Sequence, residues 1–283
     1  MELRVEKTAG LYVSDRGLRA LAELVHDYSG ICIGPDKHQL MANRLRRRVQ
    51  DVGLLSLDDY GDFVRADATG EEIETLVDLM TTNHTAFFRE SEHFTVLMQE
   101  LAPTLRAAMP TGYPVRVWSA AASSGEEPYT LAMLTAEDQR RDPLHRWVLQ
   151  ASDISRRMLD VAVRGVYSMD SVAVVPPDLL PRYFERGVGA QDGRCRLRRE
   201  VRAAVSYQRI NLLDAHYPIR EPQHVIFCRN VMIYFDVDTR RAVVERLLEY
   251  LVPGGYLVVG YSESLTGLVP RLSSVSHGVY TRS

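Results

Sequence analysis

The chain has 283 residues, 46% hydrophobic and 25% charged, with a formal net charge of −3. That composition belongs to a globular protein able to bury one large core with a smaller domain attached; it argues against a disordered chain and gives no general attraction to nucleic acid. Cys32, Cys195 and Cys228 are widely spaced without a CxxC, which argues against a disulfide framework or a structural zinc site, and the acidic residues show no metal-ligand spacing. The start lacks an apolar secretion segment, and no stretch approaches ~18 uncharged apolar residues, so a cytoplasmic protein without membrane insertion is expected.

Residues 15–109 read as helices. Leu18, Leu21, Leu24 and Val25 recur at helical spacing, followed by Leu40, Met41, Leu45 and Val49, and by Ile73, Leu76, Val77 and Met80. Between them LLSLDDYGDFV predicts a short helix capped by Ser56, and Gly30, Pro35 and Gly53 separate the runs. After Pro110 and Gly112 strands alternate with helices: VRVWSA (115–120), then EEPYTLAMLTAE; WVLQASD (147–153), then SRRMLDVAVRGVY; HVIFCRN (224–230), then TRRAVVERLLEYL; and YLVVGYS (256–262). The alternation implies a parallel sheet covered on both faces, with HGVYTR (277–282) as an antiparallel edge strand. Residues of about 182–209 fit no simple strand–helix unit and are read as a small hairpin-rich insertion. The expected organisation is an all-helical domain with linker over 1–90 and an α/β domain over 91–283.

The stretch SAAASSGEEPY (119–129) follows the first strand and opens a helix, where an open parallel sheet binds its ligand. It satisfies neither GxGxxG nor a phosphate loop, and Glu126 and Glu127 would repel a pyrophosphate. Asp153, at the end of the next strand, can hold a ribose diol, or equally cap the helix that follows. Together these features favour an adenosine ligand without pyrophosphate, and S-adenosylmethionine fits. Asn211 and Leu212 are placed to reach an adenine.

Four segments carry a more specific resemblance: TTNHTAFFRE (81–90), RVWSAAASSGEEPY (116–129), ASDIS (151–155) and FCRNVMIYF (227–235), with NLLD (211–214) and GYSESL (260–265) in agreement. In that order they resemble the CheR-type methyltransferases, which methylate chemoreceptor glutamates. The resemblance implies an S-adenosylmethionine-dependent methyltransferase (Rossmann-like) domain with an all-α N-terminal domain and a small inserted antiparallel β-subdomain. It further implies cofactor contacts from Asn83, Thr85, Arg89, one of Glu126 and Glu127 (preferably Glu127), Asp153, Asn211 and Leu212. Cys228 and Arg229 would lie along the same pocket, and Tyr234 close to the methyl donor. Arg89 and Tyr234 are the candidate catalytic residues, neither acting as a base, because a glutamate is already ionised at neutral pH. The expected products are a glutamyl methyl ester and S-adenosylhomocysteine. Phe87 and Phe88 would fix the segment between the two domains.

KHQLMANRLRRR (37–48) contains no acidic residue, and a helical wheel puts Lys37, Arg44, Arg47 and Arg48 on one side. A solvated basic face is one reading; in the family context a docking surface for acidic receptor helices is the other. RYFERGVGAQDGRCRLRREV (182–201) resembles the insertion of members that also bind a receptor's C-terminal tether peptide. The partners expected are therefore chemoreceptors and not nucleic acid, with the chain acting as a monomer. An RNA or DNA methyltransferase and a non-catalytic chemotaxis scaffold are the alternatives.

Overall fold

A computed structural model describes residues 5–8 and 11–283, and the chain divides into two compact units. The first comprises residues up to Thr82 together with Tyr234–Thr239; the second comprises Asn83–Ile233 and Arg240–Ser283.

The first unit opens with an antiparallel pair, β1 (Val5–Thr8) and β2 (Leu11–Ser14), ahead of four helices. Ser14 caps α1 (Asp15–Ser29) by accepting from the Gly17 amide at 2.9 Å, and Gly30 ends it in the left-handed conformation. Then come α2 (His38–Asp51), α3 (Leu57–Ala66), capped by Ser56, and α4 (Glu71–Met80). Leu21, Val25, Leu45, Val49, Leu57 and Leu76 are fully buried, each stabilising the unit by about 1.5–3 kcal/mol. The spacing that finds this core over-reaches at Leu40, which is 49% exposed.

The second unit begins with one continuous helix, α5 (Glu92–Val96) passing through a π-turn (Leu97–Leu101) into α6 (Ala102–Ala107). The main sheet and its helices follow as β3 (Val115–Ala120), α7 (Glu126–Arg141), β4 (Trp147–Asp153) and α8 (Arg156–Arg164). A three-stranded sheet then interrupts them, built from β5 (Val166–Ser168), α9 (Leu180–Tyr183), β6 (Phe184–Arg186) and β7 (Arg194–Leu197). The chain returns through α10 (Arg199–Ala203), β8 (Val205–Arg209), β9 (Gln223–Cys228), α11 (Val237–Glu249), β10 (Leu251–Val258), β11 (Leu272–Ser276) and β12 (Val279–Arg282).

The seven-stranded sheet runs β11-β12-β10-β9-β3-β4-β8, parallel from β10 to β8 and antiparallel at β12 and β11. From β3 the chain moves outward through β4 to β8, then crosses back to place β9 on the other side of β3. The reversal makes the carboxyl ends of β3 and β9 the switch point, where open α/β sheets bind ligands. Both strands are buried throughout, as expected of a sheet covered on two faces.

Three strand readings are corrected. The tail strand β12 is antiparallel but interior, because LSSVS forms β11 outside it; that segment is mostly exposed and carries no apolar alternation to announce it. The inserted sheet, ordered β5-β7-β6, starts at Val166, before the expected boundary. At its other end β8 leaves the insertion and becomes the edge of the main sheet, Leu149 facing Val205 and Asp153 facing Arg209. A sheet edge needs apolar residues on one face only, which is why VSYQR passes for part of a polar hairpin. Among the described residues, no helix is long and apolar enough to cross a membrane.

Candidate functional site

The turn from β3 into α7 carries three left-handed residues in five: Ala121 (φ 63°), Ser123 (φ 50°) and Gly125 (φ 99°). A side chain at Gly125 would stand 2.8 Å from the Ala162 Cβ and 3.0 Å from the Tyr167 hydroxyl, so the close approach of α8 requires glycine. Two non-glycine residues in this conformation cost about 1–3 kcal/mol each and persist only where surrounding bonds hold them. Asp153 supplies such a bond. Its Oδ2 accepts from the Ser123 amide at 2.7 Å and its Oδ1 from the Ser155 amide at 2.9 Å, while the Ser123 hydroxyl donates to the Asn83 carbonyl at 3.0 Å. Asn83, the β3–α7 turn and the end of β4 are thereby joined.

A second polar chain crosses the switch point. The Arg229 side chain, only 1% exposed, donates to Glu127 Oε2 at 2.9 Å, to Glu90 Oε2 at 3.0 Å and to the Arg89 carbonyl at 2.6 Å. Its guanidinium also lies over the Phe94 ring at 5.4 Å. Glu127 accepts in addition from the Ser119 hydroxyl at 2.7 Å, which ties it to β3. Burial pushes the Glu90 carboxyl up, but hydrogen bonds from Arg229 and Asn230 outweigh it and hold the group below its ordinary range. Glu126 has no such partner: burial raises its carboxyl, and only the Ser124 hydroxyl donates to it from a side chain. Of the two acidic residues, Glu127 is the one built into this frame.

Glu263, buried, completes the rim by accepting from the amides of Asn230 (2.7 Å), Met232 (2.7 Å) and Gly260 (2.6 Å). Phe88, Glu90 and Asn230 are also left-handed, so among the described residues all five non-glycine residues with positive φ lie in the segments that build the two chains. Backbone strain concentrated in this way is characteristic of ligand clamps. Glu90 and Glu263 lie outside the set of residues expected from the sequence. A carboxylate directly after Arg89 and another in GYSESL, just past the apolar run Leu257–Val259, are the available signals.

The remaining expected site residues are placed as follows. Phe87 is buried edge-on to Tyr167 (4.9 Å) and Phe184 (5.7 Å), and the Phe88 ring meets Phe94 at 6.3 Å. Both rings thus pack within the second unit, because apolar partners from β5, β6 and α5 surround them there. Arg89 is half-buried and donates to the His84 carbonyl at 2.8 Å. Thr85 shares its half-buried stretch, and an open cavity of about 470 Å³ is lined by His84, Phe87, Phe88, Arg89, Val174 and Pro176 among others. Asn211 is buried with its Oδ1 accepting from the Leu213 amide at 3.0 Å, and Leu212 is buried beside it. The Ile210 amide donates to the Asp153 backbone carbonyl at 3.1 Å, which ties the start of this segment to the end of β4. Cys228 is fully enclosed, and burial pushes its thiol well up, so it offers packing rather than a reactive sulfur. Tyr234 belongs to the first unit, where its carbonyl accepts from the Cys32 amide at 2.8 Å.

The basic helix does not present one face. Arg44 donates to the carbonyls of Leu79 (3.4 Å), Met80 (2.8 Å) and Thr81 (3.2 Å), closing the end of α4. Arg48 pairs with the buried Glu72, which also accepts from the Tyr60 hydroxyl at 2.6 Å. Lys37, in the turn before α2, and Arg47 are exposed. Lone carboxylates and open helix ends inside the unit capture two of the four cations, an effect a helical wheel cannot see.

Two adjoining family domains account for this arrangement. The CheR methyltransferase, SAM binding domain matches residues 83–280, and the CheR methyltransferase, all-alpha domain matches residues 16–81. The chain belongs to the CheR methyltransferase family. It is 37% identical over 279 residues to the chemotaxis protein methyltransferase of Salmonella typhimurium, covering 99% of this chain and 94% of that one. The Escherichia coli protein of the same name is 36% identical, with 99% and 96% covered. Chemotaxis protein methyltransferase 2 of Pseudomonas aeruginosa is 39% identical over 260 residues, 92% and 90% of the two chains. The second unit is accordingly the S-adenosylmethionine-binding domain of a methyltransferase, and the first contains the all-α domain of the family.

Proposed function

We propose that this CheR-family enzyme methylates glutamate side-chain carboxylates on chemoreceptor helices. The names of the relatives, matched nearly end to end, support the receptor as acceptor. The observation that carries the chemistry is the Arg229–Glu127–Glu90 frame at the switch point: carboxylates with one enclosed cation between them suit a sulfonium ligand and oppose a polyphosphate.

The residues present fit S-adenosylmethionine. Asp153, fixed at the end of β4 by the Ser123 and Ser155 amides, would take the ribose diol, and Asn211 and Leu212 the adenine. Asn83, Thr85 and Arg89 would hold the amino-acid end. Glu127 would meet the cationic part, and Arg229, held by its three partners, acts as a positioning residue behind it.

When bound, the cofactor supplies a methyl group on a sulfonium; its transfer to a carboxylate oxygen gives a γ-methyl ester and S-adenosylhomocysteine, with no proton to move. The chain therefore needs no general base, and its task is alignment and exclusion of water. Too tight a clamp on the acceptor anion would stabilise the ground state instead, so Arg89 orients rather than immobilises. Docking rests on the exposed Lys37 and Arg47, and an edge of the β5-β7-β6 sheet is available to a receptor tether peptide by strand addition.

The test supplies tritiated S-adenosylmethionine with receptor cytoplasmic fragments and with nucleic acid as separate acceptors. Base-labile label on receptor glutamates is the expected result. Label on nucleic acid alone, or base-stable label on receptor, overturns the assignment.

A further inference from the structure

Among the described residues, three metal-ligating side chains converge outside the cofactor site: His26 near the end of α1, Cys32 in the following loop, and Asp236 ahead of α11. All three belong to the first unit, and their ligand atoms lie within 4.8 Å of one another. We propose that His26 Nε2, Cys32 Sγ and Asp236 Oδ2 form a binding site for a zinc-class divalent cation, with solvent as the fourth ligand.

The local structure directs each donor inward. Asp236 divides its carboxylate: Oδ1 accepts from the Thr239 amide at 2.7 Å, while Oδ2 faces His26 Nε2 at 2.9 Å and Cys32 Sγ at 3.8 Å. Gly30, left-handed, turns the chain sharply after α1, and the Cys32 amide is then fixed by the Tyr234 carbonyl at 2.8 Å. The other imidazole nitrogen of His26 faces the exposed Asp27 Oδ1 at 3.7 Å, an ion-pair separation longer than a hydrogen bond.

Bond lengths near 2.0–2.3 Å separate tetrahedral zinc ligands by about 3.3–3.6 Å. The Cys32–Asp236 distance is close to that, and the His26–Asp236 hydrogen bond need open by only about half an ångström. One nitrogen, one sulfur and one carboxylate oxygen select a borderline-soft cation over magnesium or calcium. Loading releases the Cys32 thiol proton to solvent, moves the neutral His26 ring proton from Nε2 to Nδ1, and exchanges the histidine–aspartate hydrogen bond for two metal bonds. Without a metal the thiol makes only long contacts, to the Gly30 carbonyl at 3.9 Å and to Asp236 Oδ2 at 3.8 Å, beside the 2.9 Å histidine–aspartate pair.

Cobalt(II) titration of the untagged, chelator-treated full-length chain reads the site directly. One ion per chain, a thiolate-to-cobalt charge-transfer band, intense tetrahedral visible bands and displacement by zinc are expected. Cys32→Ser removes the charge-transfer band without altering the circular dichroism, and Cys195 and Cys228, both buried, do not replace it. No saturable binding by the folded chain, a weak octahedral spectrum, or a charge-transfer band that survives Cys32→Ser overturns the proposal.

Discussion

Arg229 and Glu127 meet at 2.9 Å across the switch point, joining the end of β9 to the start of α7 through a guanidinium that solvent does not reach. Arg229 also holds Glu90, so removing it strands two enclosed carboxylates. Arg229→Ala is expected to lose about 3–5 kcal/mol of unfolding free energy in urea. Arg229→Lys should recover part of that, since an ammonium keeps the charge but not the fork. A loss below about 1 kcal/mol would show that the pair is not a structural tie.

Asp153 holds the β3–α7 turn and is the proposed ribose ligand. Calorimetric titration of Asp153→Ala with S-adenosylhomocysteine should show at least a tenfold loss of affinity, roughly 1.4 kcal/mol. Asp153→Asn should fall between, because its amide oxygen still accepts from the Ser123 amide. Affinity unchanged in both variants would remove Asp153 from the site.

Two enclosed imidazoles set an acid limb to stability. Burial, helped by the Arg229 charge, lowers His93 from 6.5 to about 4, and burial with Arg116 does the same to His224. Unfolded histidines take up protons from about pH 6.5, whereas these two resist until about pH 4. Their contribution is therefore complete above 6.5 and lost as pH falls from there to 4. Glu90, held low, adds its own loss only below the ordinary glutamate range. Denaturation midpoints taken across this window should decline less steeply in His93→Gln; an identical slope would contradict the assignment.

Charge reversal separates docking from packing on the basic helix. Lys37→Glu with Arg47→Glu should slow transfer to receptor and leave the thermal midpoint within a few degrees. Arg48→Glu should instead destabilise the first unit by about 3–5 kcal/mol, since it faces Glu72. Receptor methylation that is indifferent to Lys37 and Arg47 would place docking elsewhere.

The apolar strands were legible because VRVWSA and HVIFC are buried on both faces, and the helices because their stripes repeat every third or fourth residue. β8 and β11 were not, since VSYQR and LSSVS lie at sheet edges where polar side chains are tolerated. Within the site, Asp153 and the β3–α7 turn could be read from position alone. The Arg229–Glu90 pair could not: its members are 139 residues apart, and neither periodicity nor composition pairs distant charges. The strained residues were hidden too, because Phe88, Ala121 and Asn230 adopt a conformation that glycine usually announces.

The first unit takes its last piece, Tyr234–Thr239, from far down the chain. At synthesis rates of about 5–20 residues per second, roughly ten to thirty seconds separate Thr82 from Thr239 on the ribosome. Through that interval the nascent helices lack the strand-end segment that bonds to His26 and Cys32. The amino-terminal unit is thus first to be made but among the last to be finished, its closing segment arriving after most of the second unit has been synthesised.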